Sequence, residues 1–245
     1  MTFPIDNYEL RARYAPSLIV VAPFLITLWT CAPSEFQGLS AFTGGILSLI
    51  MWYCLAMFVR FFGKKVEPQL WDEWGGNIAA NLMLWENKFF NDELKKQYHD
   101  AILKYLSLTM STKDEELLSK ETAEKRCIQA FIRVRGVLRK FDPTGLWATD
   151  NAEYGFARNI YGSRKAWRFI SIFMTGISAI FLFMNWNNLI FLGLCINLSM
   201  IYFSFYFGGI VMKSMAKELA LRYAQHSWES FLNIARTDNI ANRDS

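Results

Sequence analysis

Residues Leu189 to Met212 read LIFLGLCINLSMIYFSFYFGGIVM, 24 positions in a row without an acidic or basic side chain. A hydrocarbon core about 30 Å thick takes about 20 apolar residues of helix, so this run alone moves the chain into a membrane class. Three more runs qualify: Ala15 to Cys31, Leu39 to Phe62, and Trp167 to Met184. None has a charge in its interior. Arg60 and Arg168 stand at run ends, where a long guanidinium stem reaches the headgroups.

Composition agrees. Of 245 residues, 53% are hydrophobic, 16% aromatic and 20% charged, too apolar for a disordered chain. The mean hydropathy of +0.13 averages charge-free runs with a middle dense in charge. Net charge is +4, from 26 basic and 22 acidic residues; this is too mild for direct duplex nucleic-acid binding and compatible with anionic lipid. Cys31, Cys54, Cys127 and Cys195 are far apart. They form neither a zinc pattern nor a disulfide framework and read as apolar filler.

The run Ala15–Cys31 follows Arg11 and Arg13, but its leader MTFPIDNYELRARY is acidic as well as basic and no A-x-A-like site follows Trp29. It is expected to be a span rather than a signal peptide. Orientation follows the basic residues. Arg11, Arg13, Arg60, Lys64, Lys65, Arg164, Lys165, Lys213 and Lys217 flank the same ends, whereas the connector 32–38 has only Glu35, and Asn185–Asn188 has no charge. Both termini and the middle are therefore expected in the cytoplasm.

The expected fold is an all-α integral membrane protein. Four transmembrane helices form two hairpins, with a helical cytoplasmic insertion and a C-terminal cytoplasmic helix. The expected segments are a cytoplasmic N-terminus (1–14), a first hairpin (15–62), a helical cytoplasmic domain (63–166), a second hairpin (167–212), and a C-terminal helix and tail (213–245). Trp29, Trp167 and Trp186 fall near run ends, as interfacial rings do, and Trp52 lies nearer mid-span. Ser40, Gly44 and Ser48, and Ser204 with Gly208, have the spacing of close helix contacts, within one monomer or between subunits of a homo-oligomer.

Asn197 lies near the centre of the last run, and an amide buried in hydrocarbon needs a partner. Three roles stay open: an interhelical hydrogen bond, a polar pore lining, or a bound substrate. Thr175, Ser178 and Thr43 are fellow groups at similar depth, though a hydroxyl can also bond its own helix carbonyl. Without an intramembrane carboxylate, lysine or histidine, a coupled transporter is disfavoured. The stretch Ile201–Gly209, IYFSFYFGG, surrounds Ser204 with rings that either form a hydrophobic constriction or face lipid and neighbouring helices. Gly208 and Gly209 permit close packing or a bend.

From Gly63 to Ala166 there are 17 basic and 15 acidic residues, the mark of a solvated domain. Helices are expected over Asn77–Trp85, Asp92–Leu106 and Lys120–Phe141, with Asn91 and Asp114 as caps. MSTKDEELLSKE between the last two is expected to be a loop or short helix, and Asp142-Pro143-Thr144-Gly145 to end the third. Arg126, Arg133, Arg135, Arg139 and Lys140 are the densest basic stretch, a candidate for a phosphate-bearing ligand, an acidic partner or lipid headgroups, or a solvated face. Past Met212 an amphipathic helix with Met215, Leu219, Tyr223 and Phe231 on one face is expected to dock on the insertion, as a strut or a transmitter of movement.

Catalytic chemistry is scarce. His99 and His226 lie on separate charged helices with no nucleophilic arrangement, and Gly75-Gly76-Asn77 lacks a P-loop lysine and reads as a helix-initiating turn. No catalytic residue, metal site or cofactor is expected.

Two collars adjoin the runs. Glu67–Gly76, EPQLWDEWGG, follows the second, and Asn151–Gly162, NAEYGFARNIYG, precedes the third; Trp71, Trp74, Tyr154 and Arg158 are their candidate coupling residues. Tyr154 and Arg158 share a helix face, which can pin the collar. These segments, with Tyr98-His99, resemble a group of bacterial four-span membrane proteins whose layout is similar to the membrane effectors of antiphage defence modules, in which a cytosolic sensor triggers membrane disruption. The resemblance implies a non-enzymatic inner-membrane effector that oligomerises and answers a cytosolic protein partner or anionic ligand. A membrane scaffold that recruits a soluble enzyme is the alternative, and a small transporter the third.

Overall fold

A computed structural model of the chain describes residues 7–31 and 41–241, and the side chains of 8–31 and 50–237. Among these the protein is helical throughout: α1 (Asn7–Glu9), a π-helical turn (Leu10–Tyr14), α2 (Ala15–Cys31), α3 (Ala41–Trp74), α4 (Ile78–Asn81), α5 (Asp92–Leu106), α6 (Lys113–Leu118), α7 (Lys120–Phe141), α8 (Leu146–Met184), α9 (Asn188–Phe205), a second π-helical segment (Tyr206–Val211) and α10 (Met212–Ala241). The connector around Glu35 and the Ser40, Thr43, Gly44 and Ser48 side chains lie outside the described residues.

Among the described residues, three helical stretches are long and apolar enough to cross a membrane: Leu10–Cys31, Leu146–Met184 and Asn188–Thr237. They contain three of the four apolar runs. Of the fourth, Leu39–Phe62, residues 41–62 fall in α3, whose first nine side chains are not described.

The chain divides into two compact units. The first comprises Met1–Glu67 and Ala152–Ala216, the second Pro68–Asn151 and Lys217–Ser245. In the first unit α2 packs along α9. Gly193 allows this: a Cβ there would stand 2.5 Å from Thr30 Oγ1. The outward faces are strongly apolar, with Phe169, Phe183 (94% exposed), Met184 and Trp186 among the large side chains left uncovered. A surface of this kind suits lipid as solvent.

The second unit builds its core from α5, α7 and the polar part of α10. Trp228 is fully buried. Its ring lies 5.4 Å from Phe131 and 6.1 Å from Tyr98, and its Nε1 donates to Ala79 O at 3.0 Å. Tyr223 against Phe131 and Phe231 against Tyr105 extend the contact. The amphipathic helix past Met212 thus packs on the helices of the insertion, along the face that carries Leu219, Tyr223 and Phe231.

Helices α5 and α7 have the bounds their periodicity predicts, and Asn91 caps α5 by accepting from Leu94 N at 2.8 Å. Two local expectations change. Asp114 is not a cap: Thr112 is, in a capping box with Glu115, because its hydroxyl reaches Glu115 N at 3.2 Å while the Glu115 carboxylate takes Thr112 N. The helix expected over Asn77–Trp85 closes after one turn, at Asn81. The backbone from Leu84 to Asn87 instead turns its carbonyls onto Lys95, which is fully buried and donates through Nζ to Leu84 O, Trp85 O and Asn87 O. Burial pushes that ammonium below the ordinary lysine range.

Candidate functional site

Asn197 is completely buried in the first unit. Its Nδ2 donates to Thr27 Oγ1 on α2 at 2.7 Å and lies 3.4 Å from Ser178 Oγ on α8. One amide therefore joins three apolar helices, the interhelical bond among the three roles open to it. Thr27 passes its own proton to Pro23 O at 2.9 Å. Asn197 Oδ1 has no partner, so the seam is short of one donor. Thr175 and Ser204 do not join it: Thr175 Oγ1 donates to Ser171 O and Ser204 Oγ to Ile201 O, each within its own helix. Thr43 lies outside the described side chains.

A charged cluster forms where α3, α8 and the first π-helical turn meet. Arg158 Nη1 donates to Glu67 Oε1 at 2.6 Å, Tyr154 OH donates to the same oxygen at 3.0 Å, and Lys64 Nζ donates to Oε2 at 2.7 Å. Burial works against the Glu67 charge, but Arg158 and Lys64 outweigh it and hold the carboxyl below the ordinary glutamate range. The shared face of Tyr154 and Arg158 is real, and the guanidinium lies 5.2 Å from the Tyr154 ring centroid.

Asn159 continues the network. Its Oδ1 accepts from Arg158 Nε and Nη2, and its Nδ2 donates to Ala12 O at 2.6 Å. Pro16 has no N–H with which to give Ala12 its α-helical bond; the asparagine supplies the missing donor. Trp71 and Trp74, the other collar residues, are half-buried members of the second unit.

The basic stretch of α7 does not converge. A seven-residue spacing sets Arg126, Arg133 and Lys140 on one face and turns Arg135 and Arg139 to the other. Arg126 is engaged by Glu115 at 2.9 Å and Arg133 by Leu106 O at 2.9 Å. Arg135 lies over Phe131 and Lys140 over Phe141. No common anion pocket follows from this geometry.

Three polar arrangements escape sequence reading. Lys95 with its carbonyls is one. In another, His226 Nδ1 pairs with Asp150 Oδ2, and Arg222 meets the other oxygen at 3.3 Å. In the third, His99 Nε2 donates to Met83 O at 3.3 Å with its ring on Trp85, and burial lowers its pKa below the ordinary histidine value. Each of these arrangements reaches to partners outside its own helix, so helical periodicity carries no signal of it. No group of three or more His, Cys, Asp or Glu side chains suited to a metal ion occurs among the described residues. No family model, curated protein or solved structure matches the chain.

Proposed function

We propose that the chain is a four-span protein of the bacterial inner membrane that assembles as a homo-oligomer and permeabilises or depolarises the membrane when a cytosolic partner or anionic ligand engages its second unit, in antiphage defence. In this reading α3 supplies the remaining span, and the basic residues flanking the runs put both termini and the second unit in the cytoplasm. The carrying observation is the seam of Asn197, Thr27 and Ser178 with its unsatisfied Asn197 Oδ1. An amide with a free acceptor among three apolar helices gains from any donor that enters, and water entering as the helices part is the simplest one.

The test is ion flux through purified chain reconstituted in vesicles, paired with a voltage-sensitive dye in cells expressing it alone and with its genomic neighbours. Flux that Asn197→Leu removes is the expected result. An inert monomer under every condition overturns the reading.

A second reading, a scaffold that recruits a cytosolic enzyme or sensor, is favoured by Leu117 and Leu118 on α6, which are 86% and 88% exposed. A stable partner captured through those leucines, with no change in permeability, distinguishes it.

A further inference from the structure

From Tyr154 to Ala216 the chain contains no aspartate or glutamate, yet it carries Arg158, Arg164, Lys165, Arg168 and Lys213. Arg158 is neutralised by Glu67. Arg164 and Arg168, one helical turn apart on α8, meet no carboxylate among the described residues. Arg164 Nη1 donates to Tyr161 O at 2.6 Å, and its guanidinium carbon lies 3.7 Å from the Tyr161 ring centroid. Arg168 lies 3.2 Å from the Phe205 ring centroid, and its buried Nε has no partner. Lys213 Nζ is 6.0 Å from the same Tyr161 ring.

The backbone brings these groups together. A Cβ on Gly208 would stand 3.3 Å from the Trp167 ring and 3.5 Å from Arg164 Cβ. The π-helical segment therefore lies directly on α8, with Phe205 just before it and Lys213 two residues beyond it. Stacking occupies the face of each guanidinium and leaves its edge N–H groups for an oxyanion. Two half-buried guanidiniums without a carboxylate are free to take an anion from outside the unit. They lie at the start of the apolar run Trp167–Met184 and beside the last part of the run Leu189–Met212, whose other ends meet in the uncharged turn Asn185–Asn188.

We propose that Arg164, Arg168 and Lys213 form a binding site for the phosphate of an anionic phospholipid, with the two guanidinium edges donating to its oxygens and Lys213 adding charge. The site rests on the membrane reading given above but not on permeabilisation, and lipid retention is read separately from flux. A lipid is favoured over a soluble phosphate because one apolar run starts and the other ends beside these cations, where acyl chains lie along them.

The test is native mass spectrometry of the full chain, delipidated in detergent and titrated with phosphatidylglycerol, phosphatidylcholine or glycerol 3-phosphate. Phosphatidylglycerol is expected to be retained over phosphatidylcholine. Arg164→Gln with Arg168→Gln should weaken that retention about tenfold or more, while Arg11→Gln with Lys65→Gln, which removes two exposed charges from the same unit, should change it little. Should the double glutamine variant lose its helicity, Arg164→Lys with Arg168→Lys decides. It keeps the charge and loses the stacked forks, so weaker retention than wild type supports the site and unchanged retention overturns it. Equal retention of the two lipids, or equal losses in the two glutamine pairs, overturns the site. Glycerol 3-phosphate bound as tightly as the lipid overturns the lipid assignment.

Discussion

Arg158 and Glu67, 91 positions apart in the chain, form a buried ion pair of 2.6 Å that joins α8 to α3. Glu67 also accepts from Tyr154 and Lys64, so loss of its charge strands a buried guanidinium. Glu67→Gln is expected to lower stability by about 3 kcal/mol, whereas Glu67→Leu with Arg158→Leu should cost clearly less because no charge is left alone. Thermal unfolding of the two variants in one detergent checks this. A single variant no less stable than the double one contradicts it.

Glycines give opposite expectations in the two units. A Cβ at Gly162 would stand 2.5 Å from Phe62 O, a backbone atom that cannot rotate away, so Gly162→Ala should push α8 off α3 and destabilise by about 1–3 kcal/mol. A Cβ added at Gly136, inside α7, would meet nothing within 4 Å. There Gly136→Ala should stabilise by about 0.5–1 kcal/mol through helix propensity alone. Melting curves that move in the same direction for both variants defeat the argument.

What the sequence discloses follows the range of the interaction. The apolar runs, the bounds of α5 and α7 and the Asn91 cap are local, and each is legible in periodicity or in one side chain beside a helix start. The face shared by Tyr154 and Arg158 is legible for the same reason. Their partner Glu67 is not, since a salt bridge across 91 positions leaves no periodic trace. Asn159 had a signal that was readable in principle: Pro16 deprives Ala12 O of its donor, but which distant side chain supplies one depends on how the helices pack. The α7 arginines show the converse. Their density in sequence suggested one site, and helical geometry divides them between two faces.

His99 gives the second unit an acid sensitivity. Burial holds its pKa below the ordinary value of 6.5, so the folded state binds its proton less readily than the unfolded one. Well above pH 6.5 both states are neutral and nothing is lost; as pH falls through that value the unfolded chain protonates first and stability drops, until the folded histidine titrates too. His99→Gln, which keeps a donor for Met83 O, should flatten this dependence. Unfolding measured between about pH 7.5 and 5 checks it, and an unchanged pH slope in the variant rules His99 out as the source.

Asn197→Leu separates the fold from the seam. The change deletes the bond to Thr27 but also removes the unpartnered Oδ1, and Thr27 keeps its bond to Pro23 O. Interhelical hydrogen bonds in membrane proteins contribute about 0.6 kcal/mol on average, and an orphaned buried acceptor carries a cost of its own. The two effects oppose each other, so the variant is expected to unfold within about 1 kcal/mol of wild type while its seam is dry. Thr27→Val removes the acceptor from under Asn197 Nδ2 and leaves both ends of the amide poorly satisfied, which should cost about 1–3 kcal/mol. Parallel unfolding of the two variants checks this order, and a leucine variant less stable than the valine one means that the amide holds the three helices together more strongly than its bonds imply.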